Sequence, residues 1–172
     1  MKKHILIASL LLLSCKQTET KELPKMLSDA EIELQAQQAV DSTVAAIDNQ
    51  IRAEAEAAAK NQEGAPVELL KAELVNMEYS NHRNIRLKYK NVSDKTITGI
   101  KFEWYGKNAF GDPADMGNIM SPGRGGGFTD ETLRPGRTGY GTWEILSTDA
   151  KTITAARAYE VAFSDGTKWE AK

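Results

Sequence analysis

Four carboxylates and two amides punctuate the middle of this 172-residue sequence: Asn108, Asp112, Asp115 and Asn118 within one short stretch, then Asp130 and Glu131. Oxygen ligands at such spacing in turns could surround Ca²⁺. Short polar side chains so placed also bond backbone N–H groups two residues on, and that Asx-turn role is the first expectation. Two carboxylates could share acid and base work, but neighbours such as Asp130 and Glu131 read as solvated. Gly123-Arg-Gly-Gly-Gly127 could cradle an anion through backbone N–H groups. It lacks the strand-to-helix context and the lysine of a phosphate loop, so it reads as a flexible hinge. Phe110, Met116 and Phe128, with Tyr105, could present a platform to a glycan or peptide, unless they tuck the segment onto the body of the protein. The candidate binding loop is therefore Asn108, Phe110, Asp112, Asp115, Phe128 and Asp130. No catalytic residue, cofactor or resident metal is expected.

Histidine and cysteine counts narrow the chemistry further. The two histidines are His4 and His82, and the second sits in the polar run Ser80-Asn-His-Arg83. No nucleophile-elbow pattern accompanies it. Cys15 is the only cysteine, so no internal disulfide can form. A net charge of −2 provides no basic field for nucleic acid.

Cys15 has a particular setting. Lys2 and Lys3 precede the apolar run Ile5–Leu13, which is too short to span a bilayer and has the form of a secretory signal. Leu12-Leu-Ser-Cys15 then resembles the bacterial lipobox, in which the cysteine is lipidated and becomes the first residue. Residues 1–14 are thus expected to be a signal peptide and 15–27 a flexible tether with Pro24. The expected location is the cell envelope, lipid-anchored at Cys15, on the outer membrane.

Residues 28–63 read as an acidic helical spacer. Ser28 and Glu31 form the S-x-x-E capping box, ten alanines fill the segment, and Gly64 with Pro66 stop it. Val40, Val44, Ile47 and Ile51 are spaced four, three and four residues apart. That seam could pair helices in a weak oligomer; the alternatives are a solvated stalk or a helix leaning on its own domain.

Beyond residue 67 the period changes to two. Val67–Tyr79 mixes two phases, as a bulged first strand would. Ile85, Leu87 and Tyr89 alternate with charged residues, and Asn91–Lys95 reads as the turn of a hairpin over 84–106. In Thr96–Gly106, Ile100, Phe102 and Trp104 point one way and Lys101, Glu103 and Tyr105 the other, predicting one buried face. Residues 107–134 show no strand periodicity, and a loop that long is a place to look for function. Leu133–Arg137 then turns into a strand over 138–146. Ile153, Ala155, Tyr159, Val161 and Phe163 share a phase in the strand that follows. A three-residue loop, Ser164-Asp-Gly166, pairs Trp169 with Val161 and buries the indole. All three tryptophans, 104, 143 and 169, fall in strands and are expected in the core. The predicted fold is all-β: an immunoglobulin- or fibronectin-like β-sandwich over 67–172, preceded by a long N-terminal helix.

Asn91-Val-Ser-Asp-Lys-Thr-Ile97, Phe102-Glu-Trp-Tyr-Gly106 and Leu133-Arg-Pro-Gly136 resemble the motifs of FxLYD-type domains. These are immunoglobulin-like domains, many in secreted bacterial proteins. Trp104 replaces the family's leucine and Gly106 its aspartate. Trp104–Met116, Gly125–Asp130 and Glu160–Trp169 are similar to a related domain of unknown function in such lipoproteins. The resemblance implies a scaffold and carries no catalytic residues. Together the features predict a lipoprotein displaying a non-catalytic interaction domain, bound to the membrane through Cys15 and to a protein or glycan partner. A carbohydrate-binding module using Tyr105, Phe110 or Phe128 is the alternative, and a hydrolase using the loop carboxylates a third.

Overall fold

The computed structural model describes residues 28–60, 62, 64–118 and 120–171. The expected signal peptide, Cys15 and the tether lie outside the described residues. In chain order the elements are α1 (Asp29–Lys60), β1 (Val67–Asn76), β2 (Arg83–Asn91), β3 (Ile97–Lys107), β4 (Arg124–Thr129), β5 (Thr138–Ser147), β6 (Thr152–Phe163) and β7 (Lys168–Glu170). The chain divides into two compact units, one ending at Gln38 and the other beginning at Ala39.

In the first unit the helix starts as the capping box requires. The Ser28 N–H donates to Glu31 Oε2 at 2.8 Å, and the Glu31 N–H donates to Ser28 Oγ at 3.4 Å. The Ser28 N–H, and then the Ser28 hydroxyl that donates to the same oxygen at 2.8 Å, hold the Glu31 carboxyl below its ordinary pKa.

The second unit contains the rest of α1 and two antiparallel sheets, ordered β1-β2-β5 and β4-β3-β6-β7. Each sheet turns one face to a common core. Ile85, Leu87 and Tyr89 enter it from β2, and Ile100, Phe102 and Trp104 from β3. Trp143 lies against this core beside both Phe102 and Trp104, with ring centroids 5.4 and 5.7 Å away. The expected bulge in β1 falls between Leu69 and Lys71. Gly166 adopts a φ of +80°, open to a residue without Cβ, and Trp169 pairs with Val161 as the loop length requires.

Four expectations are corrected. Residues 84–106 do not form a hairpin: β2 pairs with β1 and β5, whereas β3 pairs with β4 and β6. The turn between them crosses from one sheet to the other around the buried side chain of Asn91. Its Nδ2 donates to the carbonyls of Lys95 and Leu133 at 2.8 and 2.9 Å, and its Oδ1 accepts from the Ser93 N–H at 2.9 Å. The Gly136 N–H also donates to the Asn91 carbonyl, so the Asn91 turn and the Leu133–Gly136 turn are one structure.

Second, Gly123–Gly127 is not a hinge: from Arg124 it is strand β4, paired along β3 from Ile100 to Tyr105. Its glycines are needed for space. A Cβ at Gly125 would overlap the Met116 carbonyl and Trp104 Nε1, and one at Gly127 would lie 2.5 Å from Trp143 Cδ1. Third, β6 does not keep a single phase. Register shifts leave Thr154 and Tyr159 unpaired with β3. Ala156 and Ala158 therefore reach the core, while Tyr159 is exposed and Arg157 faces outward beside Glu103. Fourth, β3 is buried on both faces through Glu103 and Tyr105, because other groups cover its outer side.

Gly125→Ala should therefore lower unfolding free energy by about 3 kcal/mol, since a tight core yields to an added methyl only by strain. Gly126→Ala, on the exposed neighbour whose Cβ meets only the Phe102 carbonyl at 3.0 Å, should cost less than about 1 kcal/mol. Urea denaturation of the two variants checks this; equal losses would mean that the glycines do not accommodate the rings.

Candidate functional site

The outer side of the four-stranded sheet collects the charged groups. Glu103 stands opposite Arg157 on β6 and next to Arg124 on β4. Its carboxylate is 4% exposed. Oε1 accepts from Arg157 Nε at 2.6 Å; Oε2 accepts from Arg124 Nη2 at 2.7 Å and from the Tyr105 hydroxyl at 3.3 Å. Arg124 reaches onward to Glu54 of α1 at 3.5 Å. The buried Glu103 carboxylate is thus paired with two guanidinium groups, without which its burial would be strongly destabilising. Burial, and then the Glu103 charge, push the Tyr105 phenol up to about 12.

The helix lies over this end of the sheet within the second unit. Ala58 is fully buried and Ile51 and Ala55 half-buried, whereas Val40, Val44 and Ile47 are exposed. Gln62 bonds the Ala156 carbonyl at 3.4 Å. Between α1 and the end of β3 runs a cleft of about 300 Å³, at the small end of ligand-sized cavities. Ile51, Ala55 and Pro113 make its apolar walls, and Asp48, Arg52 and Lys107 put charge on its rim. Pro113 is fixed there by its bridge to Lys107, and the Ala114 N–H donates to the Gly106 carbonyl at 3.1 Å.

The expected binding loop does not form one site. Asn108, Phe110, Asp112 and Asp115 follow the end of β3 at Lys107, whereas Phe128 pairs with Lys101 on the same strand. Six strand residues between those points measure about 20 Å. Asn108 Oδ1 accepts from the N–H groups of Phe110 and Asp112 at 2.9 and 3.0 Å. Asp115 Oδ1 accepts from Gly117 and Asn118 Oδ1 from Met120. These are the Asx-turns expected of such residues. Among the described residues no group of three or more His, Cys, Asp or Glu side chains could hold a metal ion. Asp112 and Asp130 are exposed. Phe110 and Phe128 are 90% and 72% exposed, but Met116 is buried in the core and Tyr105 is only 2% exposed, so neither belongs to an aromatic platform. His82 shares a hydrogen bond with Ser80 in its turn, at 2.9 Å.

The Glu103 cluster was not visible in the residue pattern. A glutamate on the off-phase of an alternating strand has the signature of a solvated position. The available signal was Arg157, a charged residue in the apolar phase between Ala155 and Tyr159 of a strand rich in alanine, together with small residues Ala55 and Ala58 on the helix seam.

The class these features define is a two-sheet, mostly β protein with a helix laid on one sheet. No family model matches the chain, and no curated protein does. Among solved structures it is similar to a hypothetical protein of Peptoclostridium difficile 630, at 10% identity and a TM-score of 0.46, covering 62% of this chain and 87% of that one. It is also similar to a Northeast Structural Genomics Consortium target, at 14% identity and a TM-score of 0.32, covering 61% and 78%.

Removing the Glu103 charge leaves Arg157 buried without its carboxylate, so Glu103→Gln should cost about 3 kcal/mol in denaturant unfolding. The phenol makes a second prediction. Above its ordinary value of 10.0 the unfolded chain gives up the Tyr105 proton, which the folded chain keeps until about 12. Stability must therefore fall as pH rises across that window. Urea midpoints measured on either side of it should drop more in the wild type than in Tyr105→Phe; parallel drops would show that the phenol is not held.

Proposed function

We propose that this chain is a membrane-anchored bacterial lipoprotein displaying a non-catalytic interaction domain of the immunoglobulin-like sandwich type. The observation that carries the anchor is the N-terminal sequence. Lys2 and Lys3, the apolar run Ile5–Leu13 and Leu12-Leu-Ser-Cys15 place the sole cysteine where a lipobox requires one. Acyl chains on Cys15 would hold the protein at the cell envelope, on the outer membrane, since two buried chains suffice for stable attachment.

The interaction role is supported by how the polar side chains are used. Asn108, Asp115 and Asn118 cap backbone N–H groups, and Glu103 is bound by two arginines. Exposed apolar side chains stand near them, Phe110 and Met120, with Phe128 on β4 opposite Lys101. The sandwich type is supported by two antiparallel sheets sharing one core and by the union of the Asn91 and Leu133–Gly136 turns. Those are two of the motifs through which the sequence resembles FxLYD-type domains.

A second reading, a carbohydrate-binding module, rests on the exposed rings of Phe110 and Phe128 and no longer on Tyr105. Their separation means that each would act as a single stacking ring.

In bacteria expressing the full chain, Cys15→Ser should move the protein from the membrane pellet to the soluble fraction. Retention of the variant in the pellet would overturn the anchor, and turnover of a glycan or peptide by the purified chain would overturn the non-catalytic role.

A further inference from the structure

We propose that the outer face of the three-stranded sheet β1-β2-β5 seats an acidic polysaccharide strand. This surface lies on the other sheet from the cleft and from Phe128, and the inference is independent of the lipid anchor.

The strand registers lay out a grid. Lys71 stands opposite Lys88, which stands opposite Tyr140; in the next row Glu73 stands opposite Arg86, which stands opposite Thr142. Together these six line an open depression of about 510 Å³. Like charges directly opposite in a sheet repel and destabilise the pairing, yet here two lysines face each other. Glu73 is the one carboxylate lining the depression, and it is already taken: Lys71 lies 2.5 Å from it and Arg86 3.8 Å. Lys88 has no ion pair among the described residues, and its Nζ stands 5.5 Å from the centroid of the Tyr140 ring. Three cations against one acid leave an excess positive charge in a concave surface, which an anion would neutralise.

The spacing and the ring identify the kind of anion. Lys88 and Arg86 lie two residues apart on one strand and so point to one side about 7 Å apart. That suits a polymer with an acidic group on each unit better than a single small anion. Tyr140 is 60% exposed beside Lys88. Its ring can receive the C–H face of a sugar while the ammonium meets the carboxylate, an amphipathic use to which tyrosine is suited. A concave seat with one ring favours a narrow strand over a flat membrane. Three cations on one small depression do not make the long row of phosphate contacts that holds a nucleic acid.

The test is affinity electrophoresis of the purified full chain carrying Cys15→Ser, so that no acyl chain contributes, in gels containing polygalacturonate, neutral dextran or DNA, with sedimentation of anionic phospholipid vesicles alongside. Polygalacturonate should retard the protein, less so as salt screens the contact, and dextran should not. Lys88→Gln and Tyr140→Ala should each weaken retardation about three- to fivefold, with unchanged thermal midpoints, while Phe110→Ala and Phe128→Ala leave it intact. Lys71→Gln, at a well-exposed position, gives the same loss if a β5 variant fails to fold. The proposal is overturned if polygalacturonate does not retard the chain, if dextran retards it equally, if the Lys88 and Tyr140 variants behave as wild type, or if DNA or vesicles bind as tightly.

Discussion

Large rings facing residues with no side chain are the constraint on which this structure rests. Trp104 and Trp143 lie side by side in the core, and the large rings spread over neighbouring positions of their own sheets, where another side chain would collide with them. Gly125 and Gly127 on β4, and Gly139 and Gly141 on β5, leave the room: a Cβ at any of them would run into Trp104, Trp143 or Tyr89. The rings in turn fix what surrounds them. Trp104 Nε1 donates to the Met116 carbonyl at 3.1 Å, and Trp143 Nε1 to the Phe128 carbonyl at 3.1 Å. The connection from β3 to β4 and the strand β4 are thus tied to the indoles by their only polar atoms, and the core is both packed and hydrogen-bonded.

A second constraint is electrostatic. Glu103 sits between hydrophobic neighbours on a strand and has lost its water. Arg124 and Arg157 replace that water, and Glu54 returns a negative charge from the helix. Such a group contributes less to net stability than apolar residues in its place would, but it is demanding about geometry, since a misplaced helix or strand would leave a bare buried charge. The cluster ties β3, β4 and β6 together, and its half-exposed contact with Glu54 adds to the burial of Ala58 that seats the second half of α1.

The residue pattern made some of this legible. Alternation placed Ile85, Leu87, Tyr89, Ile100, Phe102 and Trp104 on core faces, because a period of two is a local property. Loop length and ring size together set the pairing of Trp169 with Val161, again a local matter. What could not be read was whatever depends on a distant partner. The Asn91 turn looks the same whether it closes a hairpin or carries the chain between sheets; Leu133, forty-two positions away, decides between them. Glycines 123–127 look flexible until the indoles beside them are known. Bulges at Thr154 and Tyr159 reverse the side-chain direction along β6, and nothing in its composition announces them. Among the candidate loop residues, the amide and carboxylate turn roles were readable from spacing. The division of the candidate set between two parts of β3 was not, because it follows from β4 pairing back along that strand.

The irregularities in the pairing also bear on what the free edges of the sheets can do. Each sheet ends in two strands with unpaired backbone groups, which are templates for joining another molecule. In the three-stranded sheet, β1 is interrupted between Leu69 and Lys71. On the opposite edge β5 carries two extra residues before Ser147, with Leu146 at a φ of +51°. In the four-stranded sheet, β7 is only three residues long, and β4 is built largely of glycine. None of the four edges offers a long, regular ladder. A β-rich domain of this size can thus be crowded at high density without its sheets fusing edge to edge, and its contacts are left to side chains.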